Sequence, residues 1–461
     1  MNNISRKFTA DAEKKGFDPV HRKTIKYNMS RYDRAVDDGM KQFENLELAR
    51  QRAAYLKYKI INDLEDQLRE FESNFKANGG KIIWATDAKD AIKGILNVLQ
   101  KQNAKSVVKS KSMTTEEIEM NEALEKQNIE SLETDLGEYI VQIAGEKPYH
   151  IVTPAMHKSK EDIASLFHEK FKLDKDSSPE EITGYVRNIL REKFKKADVG
   201  ITGCNFLVSD TGSVCITENE GNAMMSMSFP KVHIAVAGIE KLIPSLEHLD
   251  LFWPLLAGHG TGQHITVYNS IVNGPKKSNE ADGPDEMYLV LLDNKRSELL
   301  KQEKQRIALS CIRCGACLNA CPVYRNIGGH AYATTYSGPI GSVISPWLFG
   351  MKNYKHLSFA SSLCGKCTEV CPVKIPLHEL LLRNRNDAVK KGAYEFSEKV
   401  IMFGWKQSLL NRKILDMSGG KFKNFILKRA FSKTWGPRRT LPKMQSKSFS
   451  QQWKEKERRK K

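Results

Sequence analysis

Nine cysteines are spread unevenly through the 461-residue chain, and seven of them fall between Cys311 and Cys371. The first run reads Cys311-x2-Cys314-x2-Cys317-x3-Cys321-Pro322, the bacterial ferredoxin spacing in full. Three thiolates on one tight loop reach three corners of a single cubane. The fourth, followed by a proline that turns the chain away, serves a different cluster. The second run, Cys364-x2-Cys367-x3-Cys371-Pro372, matches the last three positions of that pattern, with Ser361 where the first thiolate would stand. The expected chemistry is electron transfer through two iron–sulfur clusters, most simply [4Fe-4S].

The cross-over rule assigns the ligands. The first cluster takes Cys311, Cys314, Cys317 and Cys371. The second takes Cys321, Cys364 and Cys367 and lacks a fourth thiolate, so it is either a [3Fe-4S] cluster or a [4Fe-4S] cluster with a non-cysteine ligand. An open iron there would bind a substrate or be lost to oxidation. Ser361 offers an oxygen, but a serine hydroxyl is a poor ligand. Structural zinc also uses C-x2-C pairs, but zinc needs four ligands per ion, and seven cysteines with two following prolines fit it badly. Cys204 and Cys215 lie in apolar strand contexts and read as small core residues without a role.

The elements around these residues follow from pattern. Leu46, Ala49, Ala53, Leu56, Ile60, Leu64, Leu68, Phe71 and Phe75 recur every three to four positions, which predicts an amphipathic helical segment over residues 1–75. From Gly79 strands and helices alternate. Strands are expected at Lys81–Ala85, Ala104–Met113, Leu136–Gly145 and Tyr149–Pro154, with a helix opening at Thr114 or Thr115. Further strand signals lie in 199–219, 231–239, 264–272 and 286–294, with Asp210-Thr211-Gly212 as a hairpin turn. Residues 76–298 thus read as one α/β domain with a mostly parallel sheet. A helix over Arg296–Ser310 leads into a cluster-binding domain at 299–385, followed by a basic region at 386–461. Between the cysteine runs, the glycine- and aromatic-rich stretch Gly328–Gly350 reads either as a cover over the clusters or as a docking face for a redox partner.

Several polar residues fall beside expected strand ends, where open α/β sheets place ligands. They are Lys109, Lys111, Ser112 and Glu116, then Glu133, Asp135 and Glu138, then Asp210, Glu218, Glu220 and Asn222. Paired carboxylates suit acid–base work, and either lysine suits a substrate carboxylate; caps, turns and solvated charges explain the same residues equally well. GHGTGQ (Gly258–Gln263) fits neither phosphate-loop spacing and reads as a turn.

The net charge of +18 is concentrated at one end. Residues 381–461 hold 23 Lys and Arg against 6 Asp and Glu, a net of +17. This suits a solvated tail or a surface for an acidic partner or anionic lipid. No apolar run approaches the roughly 18–20 residues that span a bilayer, and the start carries no secretory pattern. The expected location is the cytoplasm, with contact at the inner face of the membrane left open.

Taken in order, several blocks resemble the lactate utilization protein B family, the iron–sulfur subunits of a bacterial L-lactate oxidation system. They are KSKSMTTEEIEMN (Lys109–Asn121), ETDLGEYIVQIAGEKPYHIVTPAMHK (Glu133–Lys158), GITGCNFLVSDTGSVCITENEGNAMM (Gly200–Met225), TGQHITVY (Thr261–Tyr268), LVLLDNKRSELL (Leu289–Leu300), both cysteine runs, and VKIPLHELLLRNR. The resemblance implies an α/β LUD domain, similar to CoA transferases and sugar-phosphate isomerases, then an α-helical ferredoxin domain and a basic helical tail. It implies action with a cysteine-rich subunit and a second LUD-domain subunit, oxidising L-lactate to pyruvate for growth on lactate. An oxidoreductase subunit active only with its partners is the expected role. Two rivals stand beside it: an acyl- or CoA-transferase-like enzyme whose clusters are structural, and a redox-sensing regulator that binds nucleic acid through the tail, which lacks a helix-turn-helix or finger pattern.

Overall fold

The computed structural model describes residues 3–436 and 439–459, in two units that divide between Lys391 and Gly392. Four helices precede any strand: α1 (Asn3–Gly16), α2 (Pro19–Gly39), α3 (Leu46–Asn62) and α4 (Leu64–Ala77). Asp18 starts α2 by accepting from the Val20 and His21 N–H groups, with Pro19 at the first helical position. The stripe read from the sequence faces inward, with Ala53, Ile60, Leu64, Phe71 and Phe75 buried.

From Lys81 the chain runs β1 (Lys81–Ala85), α5 (Ala88–Lys101), β2 (Ser106–Lys109), α6 (Met113–Glu117), α7 (Met120–Glu125), β3 (Glu130–Glu133), α8 (Leu136–Ile143), α9 (Lys160–Phe171) and α10 (Pro179–Lys196). It continues through β4 (Val199–Gly203), β5 (Phe206–Val208), β6 (Ser213–Glu218), α11 (Asn222–Ser228), β7 (Val232–Gly238), β8 (Leu242–Ile243), α12 (Leu249–Thr261), β9 (Tyr268–Val272) and β10 (Glu286–Leu292). Six strands make a wholly parallel sheet in the order β1-β10-β7-β4-β2-β3. The others form a smaller mixed sheet, β8-β5-β6-β9, in which β5 and β6 are the hairpin expected around Asp210-Thr211-Gly212.

A parallel sheet needs cover on both faces, and this one has it. Val232, Ile234 and Val236 of β7 pack with Ala91, Ile95 and Leu99 of α5. Ala235 and Ala237, one residue out of step, pack with Phe71 and Phe75 of α4 and with Leu207 and Val214 of the second sheet. A third core joins Val108 to α8, α9 and α10.

Some expected elements differ. Leu136–Gly145, expected as a strand, is helix α8, because the Asp135 carboxylate accepts from the Glu138 N–H and starts a helical turn. Tyr149–Pro154, also expected as a strand, is a series of bends: the Val152 and Thr153 N–H groups donate to the His150 ring instead of to a neighbouring strand. The helix after β2 opens one residue early, capped by Ser112, and breaks at Glu119, whose φ is 55°. The expected helix Arg296–Ser310 is two short pieces, α13 (Arg296–Leu300) and a 3-10 segment at Arg306–Ser310.

The cysteine region is helical: α14 (Ala316–Ala320), α15 (Tyr324–Ile327), α16 (Gly338–Leu348), α17 (Met351–Tyr354), α18 (Lys366–Glu369) and α19 (Leu377–Lys390). Every residue of α16 is buried, so this part of the glycine- and aromatic-rich stretch is interior to the region. The second unit is built of α20 (Phe396–Leu410), α21 (Arg412–Asp416), α22 (Gly420–Trp435) and α23 (Phe449–Arg458). None of the described helices is long and apolar enough to cross a membrane.

Candidate functional site

The two cysteine runs share one backbone design. Arg313 (φ 63°) and Gly315 (φ 84°) bracket Cys314, and Leu363 (φ 55°) and Gly365 (φ 82°) bracket Cys364. Left-handed residues on both sides wrap the chain tightly around the central sulfur, and glycine takes the second position without steric cost. A short helix follows in each case and carries Cys317 or Cys367. The echo seen in the spacing is therefore an echo in conformation.

The structure gathers the thiols into two groups. Cys311, Cys314, Cys317 and Cys371 line one small enclosed space, with Ile151, Ile312, Ile340, Val373, Ile375 and Leu377. Cys321 lies close enough to Cys364, and Cys367 to both, for each to oppose its neighbours' ionisation. All nine cysteines are free; Cys314, Cys317, Cys321, Cys367 and Cys371 are buried, Cys311 is half-buried and Cys364 exposed.

Backbone amides aim at the sulfurs. The Arg313 N–H donates to Cys311 Sγ at 3.4 Å, and the Ile375 N–H donates to Cys371 Sγ at 3.3 Å. Burial, then the neighbouring thiols, push Cys314 and Cys317 up, and burial pushes Cys371 up to about 12. Thiols so placed give up their protons only to a strongly cationic centre. Four converging sulfurs, amide donors and apolar cover fit a cubane in the first group. The second group offers three thiols. Ser361 is half-buried, and its Oγ accepts from the Leu363 N–H at 3.1 Å, holding the turn before Cys364.

The polar candidates of the α/β domain separate into layers. Lys111, Ser112, Asp135, Glu218, Glu220 and Asn222 line one cavity of about 390 Å³. Glu218 accepts from the Ala223 and Met224 N–H groups at the start of α11. Burial, then Asp135, push Glu220 up to about 7. Lys109, Glu133 and Glu138 are buried together, with Lys109 Nζ 2.6 Å from Glu133 and 3.4 Å from Glu116. Glu116 opens onto a different cavity of about 630 Å³, lined also by Glu146, Tyr149, His150 and His330. Asp210 is apart from all of these and caps Leu246 N–H at 3.3 Å.

The sequence reading missed the far wall of the smaller cavity. Arg313, Cys314, Tyr336, Lys241 and Cys204 complete it, so the α/β cavity touches the first cysteine group. Gly258–Gln263, expected as a turn, is the end of α12 up to Thr261, closed by the left-handed Gly262 (φ 76°). Its Gly260 packs on the cysteine loop, where a Cβ would lie 3.1 Å from the Cys314 carbonyl oxygen.

A buried charge network fastens the two regions. The Arg296 guanidinium, at the carboxyl end of β10, donates to both oxygens of Glu117 at 2.8 and 2.7 Å and to Glu240 at 2.6 Å. Tyr336 OH donates to Glu117 at 2.5 Å, and Arg313 reaches Glu240 at 3.4 Å. The carboxyl edge of the parallel sheet, where such folds bind ligands, is thereby tied to the loop that carries Cys314.

Comparison with known proteins agrees with this architecture. Residues 68–292 match the LUD domain family, and residues 307–375 match the 4Fe-4S dicluster domain family. The chain is 48% identical over 361 residues to lactate utilization protein B of Bacillus pumilus, covering 78% of this chain and 76% of that protein. It is 46% identical over 378 residues to lactate utilization protein B of Bacillus subtilis, covering 81% and 79%. A solved DUF162 family protein from Deinococcus radiodurans overlaps 50% of this chain and 98% of its own, at 13% identity and a TM-score of 0.29.

Proposed function

We propose that this chain, which belongs to the lactate utilization protein B family, is the iron–sulfur electron-transfer subunit of a complex that oxidises L-lactate to pyruvate. The observation that carries the reading is the gathering of seven thiols into two groups, the first of which reaches the cavity of the α/β domain through Cys314. Cys311, Cys314, Cys317 and Cys371 hold the first cluster; Cys321, Cys364 and Cys367 hold the second, whose remaining iron has no thiolate. When bound, such clusters accept and release electrons singly, which suits a two-electron oxidation divided between two centres. The chain's own residues insulate and tune: the buried α16 and Ile340 exclude water, and the amides of Arg313 and Ile375 stabilise negative charge on Cys311 and Cys371.

The partners are a cysteine-rich subunit and a second LUD-domain subunit, in the cytoplasm. The working division of the chain is the helical segment 1–75, the LUD domain 76–298, the two-cluster domain 299–385 and the basic region 386–461.

Anaerobic co-purification of the three subunits, followed by addition of L-lactate, tests the reading. Bleaching of the visible absorbance with release of pyruvate is expected. Clusters that stay oxidised under L-lactate, or a preparation holding zinc without acid-labile sulfide, would overturn it. Ser361→Ala is expected to keep the full iron count, because Ser361 Oγ already serves the Leu363 N–H.

A further inference from the structure

Two buried basic side chains line the cavity beside Cys314, and neither is fully paired there. Lys241 follows β7 in a 3-10 turn and is 8% exposed. Among the described residues its ammonium has no hydrogen-bond or ion-pair partner. Arg313 keeps one arm on Glu240 at 3.4 Å, but its other terminal nitrogen, Nη1, is buried without a partner. Both side chains line the cavity of about 390 Å³. Buried charges are ordinarily paired, because desolvation otherwise costs several kcal/mol. Glu240, the residue before Lys241, is already bound to Arg296 at 2.6 Å through one oxygen and to Arg313 at 3.4 Å through the other.

The backbone around Lys241 is fixed. Lys57, on α3, donates to the Glu240 carbonyl at 2.8 Å and to the Leu242 carbonyl at 2.9 Å, the residues on either side. Arg313 stacks on the Tyr336 ring at 4.5 Å. The backbone on either side of Lys241 and the Arg313 guanidinium are thus held in place at the cavity wall.

We propose that Lys241 and Arg313 form a cradle for the carboxylate of a small 2-hydroxy or 2-oxo acid, held in the α/β cavity against the loop of Cys314. The proposal rests on the lactate-oxidation reading and places its substrate in this chain. The rest of the lining selects for a monoanion. Asp135, Glu218 and Glu220 line the same cavity, against one further cation, Lys111, whose ammonium donates to the Val152 carbonyl. The three carboxyls would repel the outer charge of a phosphate or nucleotide, whereas a single carboxylate is neutralised in the cradle. A three-carbon acid seated there shares the cavity with Cys314 of the first cysteine group.

Calorimetric titration of the full chain, purified anaerobically with its clusters, decides the matter. L-lactate and pyruvate are expected to bind one per chain, with lactamide and inorganic phosphate roughly tenfold or more weaker, since a charge-assisted contact is lost or a second charge added. Lys241→Met is expected to weaken L-lactate roughly tenfold or more at unchanged iron, acid-labile sulfide and visible spectrum, and Lys241→Arg is expected to restore most of the affinity. The cradle is overturned by lactamide binding as tightly as L-lactate, by phosphate binding in preference to it, or by no binding of L-lactate at all. It is overturned equally if Lys241→Met shifts the cluster midpoint potential and leaves L-lactate affinity intact, because Lys241 would then serve the thiolates alone. Failure of the two readings is distinguishable. An assembled complex that L-lactate reduces, but whose affinity ignores Lys241→Met, loses only the cradle; carboxylate binding without cluster reduction loses the function.

Discussion

Lys109 stands at the carboxyl end of β2 with its ammonium out of reach of water and three carboxylates around it. Burial pulls it down, but Glu133, Glu116 and Glu138 outweigh that and hold it charged. One cation cannot answer three carboxylates, two of them buried. Glu138 is the acid that yields: burial first, and Glu133 second, raise it well above the usual carboxylate range, and its Oε1 has no hydrogen-bond partner. A raised folded-state pKa means the native chain binds a proton that the unfolded chain has lost. Its contribution to stability is complete below the ordinary glutamate value and is lost as pH rises through the folded value. Glu138→Gln keeps the shape and removes the titration. Its melting temperature should therefore gain on the wild type as pH is raised from 5 to 9; a difference independent of pH would show that Glu138 is ionised in the native state.

The same scale shows what a sequence reveals about a site. The cysteines were legible because each run sets its sulfurs three or four residues apart, a spacing the chain fixes locally, even though each group draws on both runs. Lys109, Glu133 and Glu138 could be flagged only as separate groups, since β2, β3 and α8 bring them together. Lys241 and Arg313 gave no signal. A lysine after a glutamate, or an arginine between cysteines, is ordinarily solvated, and only the folded sheet edge buries them.

Among the elements, α3 acts as a strut between the two halves of the first unit. Near its start, Arg50 donates to the Cys371 carbonyl at 2.9 Å and the Glu369 carbonyl at 2.5 Å. Seven residues on, two helical turns along the same face, Lys57 holds the carbonyls that flank Lys241. Burial pulls Lys57 down to about 7, so it sits there largely as an uncharged amine above that pH. Lys57→Met matches the stem but strands two carbonyls. A loss of about 1–3 kcal/mol is expected, read as a lower midpoint in anaerobic chemical denaturation, and an unchanged midpoint would mean that water replaces the amine. The amphipathic stripe of α3 and α4 was plain in the sequence, and the buried lysine within it was not. The misread strand at Leu136–Gly145 has a similar cause. Tyr139, Val141 and Ile143 alternate as in a strand, while Leu136, Tyr139, Ile140 and Ile143 repeat as in a helix. The Asp135 cap decides between them.

At the scale of the whole molecule, charge and apolar surface are divided unequally. Residues 392–461 carry 19 Lys and Arg against 5 Asp and Glu, which leaves the preceding 391 residues near neutrality. Their helices also expose large apolar side chains, among them Phe396, Phe403, Trp405, Leu410, Phe425 and Trp453. Lysines interleaved with exposed rings suit a surface that first attracts an acidic partner and then buries the rings against it. The cluster ligands, the cavity and the charge network around Arg296 all lie in the first unit. A chain ending at Lys391 should therefore keep its iron, acid-labile sulfide and visible spectrum. Full-length protein should associate with its partner subunits in a way that weakens steeply between low and physiological salt, whereas the shortened chain should bind more weakly and with little salt dependence. Loss of iron from the shortened chain would mean that the basic helices help to close the cluster domain. An undiminished salt dependence would place the attractive charge in the first unit, where the excess of positive charge is small.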